Sequence, residues 1–252
     1  MGTPRFFIEA LVAGRVVLSP EESQHILRVR RLSVGDQVVL FDGQGQESQG
    51  RITAASRQEV VIEAGVVSFR DRLRPQLVVG FAPPKEPRQD VLVEKCTELG
   101  VAELVPLLCE RAVAAVSGHR LEKWRRKAVE AAKQSGQCWL PRLHAPRTLA
   151  QVLADRASYG LVLVGLSPGD GVIPEPIVGL LDALAGAGRV LALVGPEGGW
   201  EPGEVSSLLA AGVTPVSLGP NTLRIETAAV AMAVVVHALA QRRGMHYGET
   251  GS

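Results

Sequence analysis

The chain has 252 residues, of which 46% are hydrophobic and 21% charged; that length allows one large domain or two ordinary ones, and the composition excludes extended disorder. Lys and Arg total 27 against 26 Asp and Glu, a net charge of +1, which excludes a globally basic nucleic-acid coat but leaves room for a local basic patch. Three widely spaced cysteines, Cys96, Cys109 and Cys138, include no Cys-x-x-Cys pair and so point to buried thiols rather than structural zinc or a disulfide framework.

The first seventy residues read as β-rich. Short apolar runs fall at 6–8, 16–18, 38–41, 52–55 and 60–67, and Asp42-Gly43-Gln44-Gly45 reads as a hairpin turn between two of them. One helix interrupts, from Ser19 as N-cap and Pro20 at the first helical position, with Glu22 three residues after the cap, to about Val29. Five strands around one helix predict a small β-barrel over residues 1–74, closed by the polar linker 70–75. After Pro75 the rhythm changes. Apolar strands are predicted at 76–82, 103–108, 161–166, 189–194 and 213–218, and helices at 88–99, 121–135, 177–184, 204–211 and 226–243. Strands apolar on both faces and alternating with helices predict an α/β domain over residues 75–252, with a parallel sheet covered on both sides. The N-terminal residues lack the apolar stretch of a signal peptide. The longest apolar run, 228–236, is short of the ~20 residues of a membrane span. The expectation is a cytoplasmic protein.

In open α/β sheets ligands bind beyond the carboxyl ends of the strands. Two consecutive strand ends here carry unusual loops: Gly195-Pro196-Glu197-Gly198-Gly199-Trp200 and Gly219-Pro220-Asn221-Thr222-Leu223-Arg224. No Gly-x-Gly-x-x-Gly or Walker pattern follows the first strand, which ends in Pro83-Pro84-Lys85. Glu197, Glu201 and Glu204 crowd the next helix start and would compete with phosphate for its positive end. A cationic, hydroxyl-bearing ligand such as a sulfonium nucleoside suits these loops better than a pyrophosphate.

Those two loops, with Leu193 and Val194 before the first, Leu218 before the second and Ile225-Glu226-Thr227-Ala228-Ala229 after it, resemble the knotted SPOUT methyltransferases. Within that class the chain resembles the ribosomal RNA small subunit methyltransferase E family. Further matches are the stretch from His25 to Arg31, the run from Asp90 to Gly100, and the pattern from Lys123 to Ser135. The stretch Gly219-Pro220-Asn221-Thr222 departs from the family, which usually carries a basic residue and a bulky aliphatic there. The resemblance implies a PUA-like RNA-binding N-terminal domain and a C-terminal domain with a deep trefoil knot. It also implies a homodimer, S-adenosylmethionine as cofactor, and methylation of uridine N3 in the decoding region of 16S ribosomal RNA. The cofactor would lie against Leu166, Gly195, Pro196, Glu197, Gly198, Gly199, Leu218, Gly219, Leu223 and Thr227.

Catalytic candidates follow from the chemistry. Uridine N3 must lose a proton before it attacks a methyl group, and an arginine can neutralise the charge that then develops on the uracil oxygens. Arg224 is the first candidate for that role. Glu197 and Glu226 are candidates for proton acceptance or cofactor contact, and Glu226 also suits the first turn of a helix. Arg5, Arg28, Arg30 and Arg31 are candidates for gripping RNA phosphates. Trp124 reads as core, His237 as structural, and the five histidines show no metal-ligand spacing, so no metal is assigned. The apolar helix after Glu226 is expected to be buried, either within its own domain or across a dimer interface. Two other activities compete: a non-catalytic RNA-binding or ribosome-assembly protein, and a methyltransferase of the same class acting on a transfer RNA ribose 2′-OH.

Overall fold

The computed structural model describes residues 3–24, 26, 32–56, 59–114, 116–166 and 171–241. The chain folds as two compact units, one of Met1–Arg72 with Val129–Leu140, the other of Leu73–Ala128 with Pro141–Ser252.

The first unit is a five-stranded sheet made by β1 (Arg5–Phe7), β2 (Gly14–Val17), β3 (Gln37–Phe41), β4 (Gln46–Ala55) and β5 (Val60–Phe69), in the order β1-β3-β4-β5-β2. The expected barrel is thus, in its hydrogen bonding, a sheet with β1 and β2 at its edges. Among the described residues only β1 and β3 run parallel in this sheet. The turn 42–45 forms as expected, because Asp42 Oδ1 accepts from the amides of Gln44 (2.7 Å) and Gln46 (3.1 Å) and Gly43 takes φ +73°. The helix expected from Pro20 to about Val29 is described as α1 (Pro20–Gln24), with Ser19 Oγ accepting from the Glu22 amide at 3.2 Å. Phe6, Ile26, Leu40, Ile52 and Ile62 fill the core. The late segment 129–140 packs Ala132 and Cys138 on Phe41, and Lys133 forms an inward ion pair with Glu22.

The second unit holds β6 (Gln76–Phe81), α2 (Arg88–Glu98), β7 (Glu103–Leu108), β8 (Arg142–Leu143), β9 (Arg147–Thr148), α4 (Leu149–Ala154), β10 (Leu161–Gly165), β11 (Glu175–Pro176), α5 (Leu181–Gly186), β12 (Arg189–Val194), α6 (Pro202–Ala210), β13 (Thr214–Ser217) and α7 (Ile225–Gln241). The helix α3 (Gly118–Ser135) begins here and ends in the first unit. The sheet runs β11-β13-β10-β12-β6-β7-β8, every pair parallel. Leu77 to Val79, Val162 to Val164 and Val190 to Leu193 are buried, as a sheet covered on both faces requires. Trp124 is core, as expected, its ring 5.8 Å from that of Phe81.

Some boundaries differ from expectation. The helix expected at 177–184 is a 3-10 turn over Ile177–Leu180 followed by α5. α6 begins two residues early because Pro202 suits its first turn and Glu204 reaches back to the Glu201 amide at 2.9 Å. β8, β9 and β11 are too short to leave a periodic pattern. α7 packs on α2, α5 and the sheet, and Ile225, Ala229, Met232, Ala233 and Val236 are buried, which puts one face of the apolar helix inside its own unit. His237 is buried there; burial lowers its pKa, and a hydrogen bond to the Leu99 backbone opposes that.

At the amino-end edge of the sheet, Glu103 accepts from His144 Nε2 at 2.6 Å and pairs with Arg189 Nη2 at 2.5 Å. Arg189 also lies over the Tyr159 ring, 4.7 Å from its centroid. The His144 hydrogen bond chiefly, helped by Arg189, holds the Glu103 carboxyl down at about 2. A carboxyl depressed in the folded state stabilises above its ordinary value of 4.5 and loses that contribution as pH falls toward about 2. Glu103→Gln should therefore cost about 2 kcal/mol at neutral pH, allowing for solvent screening. Urea melts at stepped pH should show the gap to wild type closing between those two values.

Candidate functional site

The parallel register sets the site. Gly165 pairs with Val194 on one side and Val216 on the other, so β10, β12 and β13 end side by side. Leu166, the loop 195–201 and the loop 218–224 therefore leave the same sheet edge. The Leu166 amide donates to the Val216 carbonyl at 3.2 Å, and Leu166 itself is buried. The sheet changes direction between β6 and β12, since β7 lies on one side of β6 and all later long strands on the other. Ligands in open α/β sheets sit at such switch points.

Here the loops close on an open cleft of about 510 Å³, lined by Arg88, Glu197, Thr222, Leu223 and Arg224. Arg88 opens α2, just beyond β6. Its Nη1 donates to Glu197 Oε1 and lies 3.9 Å from Glu226 Oε2. The Glu197 hydrogen bond pushes the Arg88 pKa above its ordinary value. The Glu226 side chain is 12% exposed, and its Oε2 has no hydrogen-bond partner among the described residues. The cleft thus gathers the guanidiniums of Arg88 and Arg224 with the Glu197 carboxylate, and Glu226 lies behind Arg88, a mix of charges suited to a zwitterionic ligand.

A second arginine braces the same loop. Arg111, beyond β7, donates through Nη1 to the Gly198 carbonyl at 2.8 Å and through Nε to Glu201 at 2.6 Å. Glu204 accepts from the Glu110 amide at 3.2 Å. Glu201 at the cap of α6 and Glu204 in its first turn crowd that helix start as expected, and Glu197, Glu201 and Glu204 each have a partner in the protein.

Among the expected site residues, Glu197, Leu223 and Arg224 line the cleft, and Glu226 stands behind Arg88. Arg224 is exposed and forms no ion pair among the described residues. Gly195, Pro196, Gly198 and Gly199 form the adjoining loop, with Pro196 buried and Gly198 exposed. Leu218 is half-buried, while Gly219 (φ +137°) and Thr227 are exposed. Gly195 serves packing: a Cβ there would run into the buried Trp200 indole. A Cβ on Gly198 would meet only the Arg111 side chain, at 3.4 Å. Arg5 departs from expectation. Its side chain is 12% exposed, bonded to Glu47 (3.2 Å) and the Gln137 carbonyl (3.3 Å), so it braces the first unit instead of presenting itself to a phosphate. Arg28, Arg30 and Arg31 lie outside the described residues.

Sequence reasoning missed Arg88 and Arg111. For Arg88 a signal existed, its place just after a strand end at the centre of the sheet; for Arg111 none did.

This fold and site are those of an RNA methyltransferase: residues 72–237 match the RNA methyltransferase domain and residues 18–64 the RNA methyltransferase PUA domain. A ribosomal RNA small subunit methyltransferase E of Synechocystis is 32% identical over 234 residues, covering 92% of this chain and 75% of that protein. The structure of the Neisseria gonorrhoeae ribosomal RNA small subunit methyltransferase E bound to S-adenosylmethionine matches with a TM-score of 0.82 at 26% identity, over 94% of this chain and 98% of that one. A Legionella pneumophila methyltransferase in complex with the same cofactor matches at 0.80 and 27% identity, with the same coverage of 94% and 98%. The chain belongs to the ribosomal RNA small subunit methyltransferase E family.

The loop geometry makes two neighbouring glycines behave differently. Gly195→Ala should destabilise the fold by about 1–3 kcal/mol, because Trp200 must move. Gly198→Val should leave the urea midpoint close to wild type, because only the flexible Arg111 side chain has to shift.

Proposed function

We propose that this chain methylates uridine N3 in the decoding region of 16S ribosomal RNA, using S-adenosylmethionine. The observation that carries this reading is the convergence of Leu166, the 195–199 loop and the 218–223 loop at three adjacent parallel strand ends, beside a cleft of mixed charge, in a chain of this family. The cleft volume suits a nucleoside-sized ligand. Gly195, Pro196, Gly198, Gly199, Leu218, Gly219, Leu223 and Thr227, with Leu166 beneath, would hold the cofactor, which supplies an electrophilic methyl group. Around it the second domain would carry the family's trefoil knot. The first would act as the PUA-like RNA-binding domain, with Arg28, Arg30 and Arg31 on phosphates. Two copies would pair as a homodimer through the apolar side of α7, in the cytoplasm where the ribosome is made.

The protein's own residues then divide the work. Holding the uracil in line with the methyl group removes most of the entropic barrier. Arg224, exposed at the cleft without a carboxylate partner among the described residues, faces the place where charge develops and neutralises the uracilate oxygens. Glu197 and Glu226 both lie against Arg88, so either accepts the N3 proton only by loosening that contact. Arg88 is therefore the residue that sets which carboxylate is available.

Mass spectrometry of ribosomal RNA nucleosides from a deletion strain, with and without the gene restored, tests the whole reading: N3-methyluridine should vanish and return. Gly198→Val should abolish S-adenosylmethionine binding in calorimetry while remaining folded, because the side chain fills ligand space. Arg224→Ala should cut the methylation rate by roughly 100-fold or more with cofactor affinity unchanged. Raising the pH should partly restore the rate as more uracil ionises on its own. Loss of cofactor affinity together with rate would make Arg224 a brace of the loop instead.

A further inference from the structure

The first unit carries an aromatic and basic cluster that the cleft does not use. Phe69, the last residue of β5, is 61% exposed. Its ring meets Trp139 edge to face, with centroids 5.6 Å apart and planes at 86°. Trp139 is fixed from several sides. Its indole N–H donates to the Arg70 carbonyl at 2.7 Å, its backbone bridges to Gln44, and a Cβ on Gly45 would collide with its ring. The Arg72 guanidinium stacks over the same indole, 4.2 Å from the centroid. A solvent-facing phenyl ring and a guanidinium thus both lie against one fixed indole.

Several arginines gather around this indole. Arg5 and Arg70 share the single carboxylate of Glu47, at 3.2 Å and 2.5 Å. Counting the exposed Asp71 as well, Arg5, Arg70 and Arg72 outnumber Glu47 and Asp71 by one. An apolar protein partner would have to desolvate these guanidiniums, whereas a polyanion gains from them. Unpaired RNA bases stack on aromatic rings and on arginine planes, and their phosphates take the remaining donors.

We infer that Phe69 and Arg72, backed by Trp139, form a stacking platform for an unpaired base of the RNA substrate, with Arg70 and Arg72 facing the flanking phosphates. This rests on the RNA substrate proposed above. Neither the turn nor the sheet edge requires an exposed aromatic at this position, and Trp139 would need no edge-to-face partner to keep its hydrogen bond.

The test is binding of a short fluorescein-labelled single-stranded RNA to the full chain, followed by anisotropy over a range of NaCl concentrations. Phe69→Ala should weaken binding roughly 5- to 100-fold without changing the salt slope, the loss expected for one stacked base. Phe69→Tyr should retain wild-type affinity. Arg72→Ala should lower the slope by about 0.7. S-adenosylmethionine affinity should stay the same in all three. Equal RNA affinity for wild type and Phe69→Ala overturns the platform, as does an equal loss in Phe69→Tyr, which would mark a packing role. A changed oligomeric state of Phe69→Ala in light scattering, with RNA affinity unmoved, assigns the face to a protein contact and also overturns it. Wild-type protein that binds the cofactor but no RNA removes the proposed substrate and the platform together.

Discussion

Parallel strands leave their sheet on one common edge, and the second unit depends on that constraint. Because Gly165, Val194 and Val216 lie in register, three loops distant in sequence leave the sheet side by side. The strands that deliver them must be apolar on both faces, since helices cover both. This is why the core is a run of Val and Leu, and why chemistry is confined to the loops. The burial of Trp200 then fixes residue 195 as glycine, so one packing decision inside the sheet edge shapes the loop that borders the cleft.

The cleft is held by charges rather than by apolar contact. Arg88 and Arg111 come from the loops after β6 and β7 and clasp the loop after β12 at Glu197, Gly198 and Glu201. Exposed pairs of this kind add little to stability. Their effect is geometric: they define where the loop sits. The contrast with Glu103 is instructive. There a half-buried carboxylate, hydrogen-bonded to His144 and paired with Arg189, has its pKa driven to about 2, at the sheet edge where no ligand is expected. Strong electrostatics serve the scaffold at one edge, and exposed pairs serve the cleft at the other.

Much of this was legible from residues alone. The switch from short alternating runs to apolar strands located the change of architecture near Pro75, and Asp42-Gly43-Gln44-Gly45 located a real turn. The glycine loops pointed to the sheet edge that bears the cleft, because strand-to-loop transitions are local. What escaped was what depends on distant pairing. Arg111 belongs to the site only because β7 lies next to β6, and Arg5 turns inward only because Glu47 and Gln137 meet it there. Two-residue strands such as β8 and β11 have no periodicity to detect. At Gly195, read as a ligand contact, the structure adds a packing reason that the sequence did not show, the indole five residues on.

The first unit is completed by residues 129–140, which reach it only after β6 and β7 have been made. The partner of Glu22, the indole beside Phe69 and the strap over Phe41 all lie in that late segment. A cut at residue 72 therefore does not release an intact module. Gene fusion or recombination at that point would separate the sheet from part of its own interior, and exchange between relatives must carry two separate pieces of the gene together. The N-terminal unit inherits as a discontinuous character, tied to the helix that threads from one unit to the other.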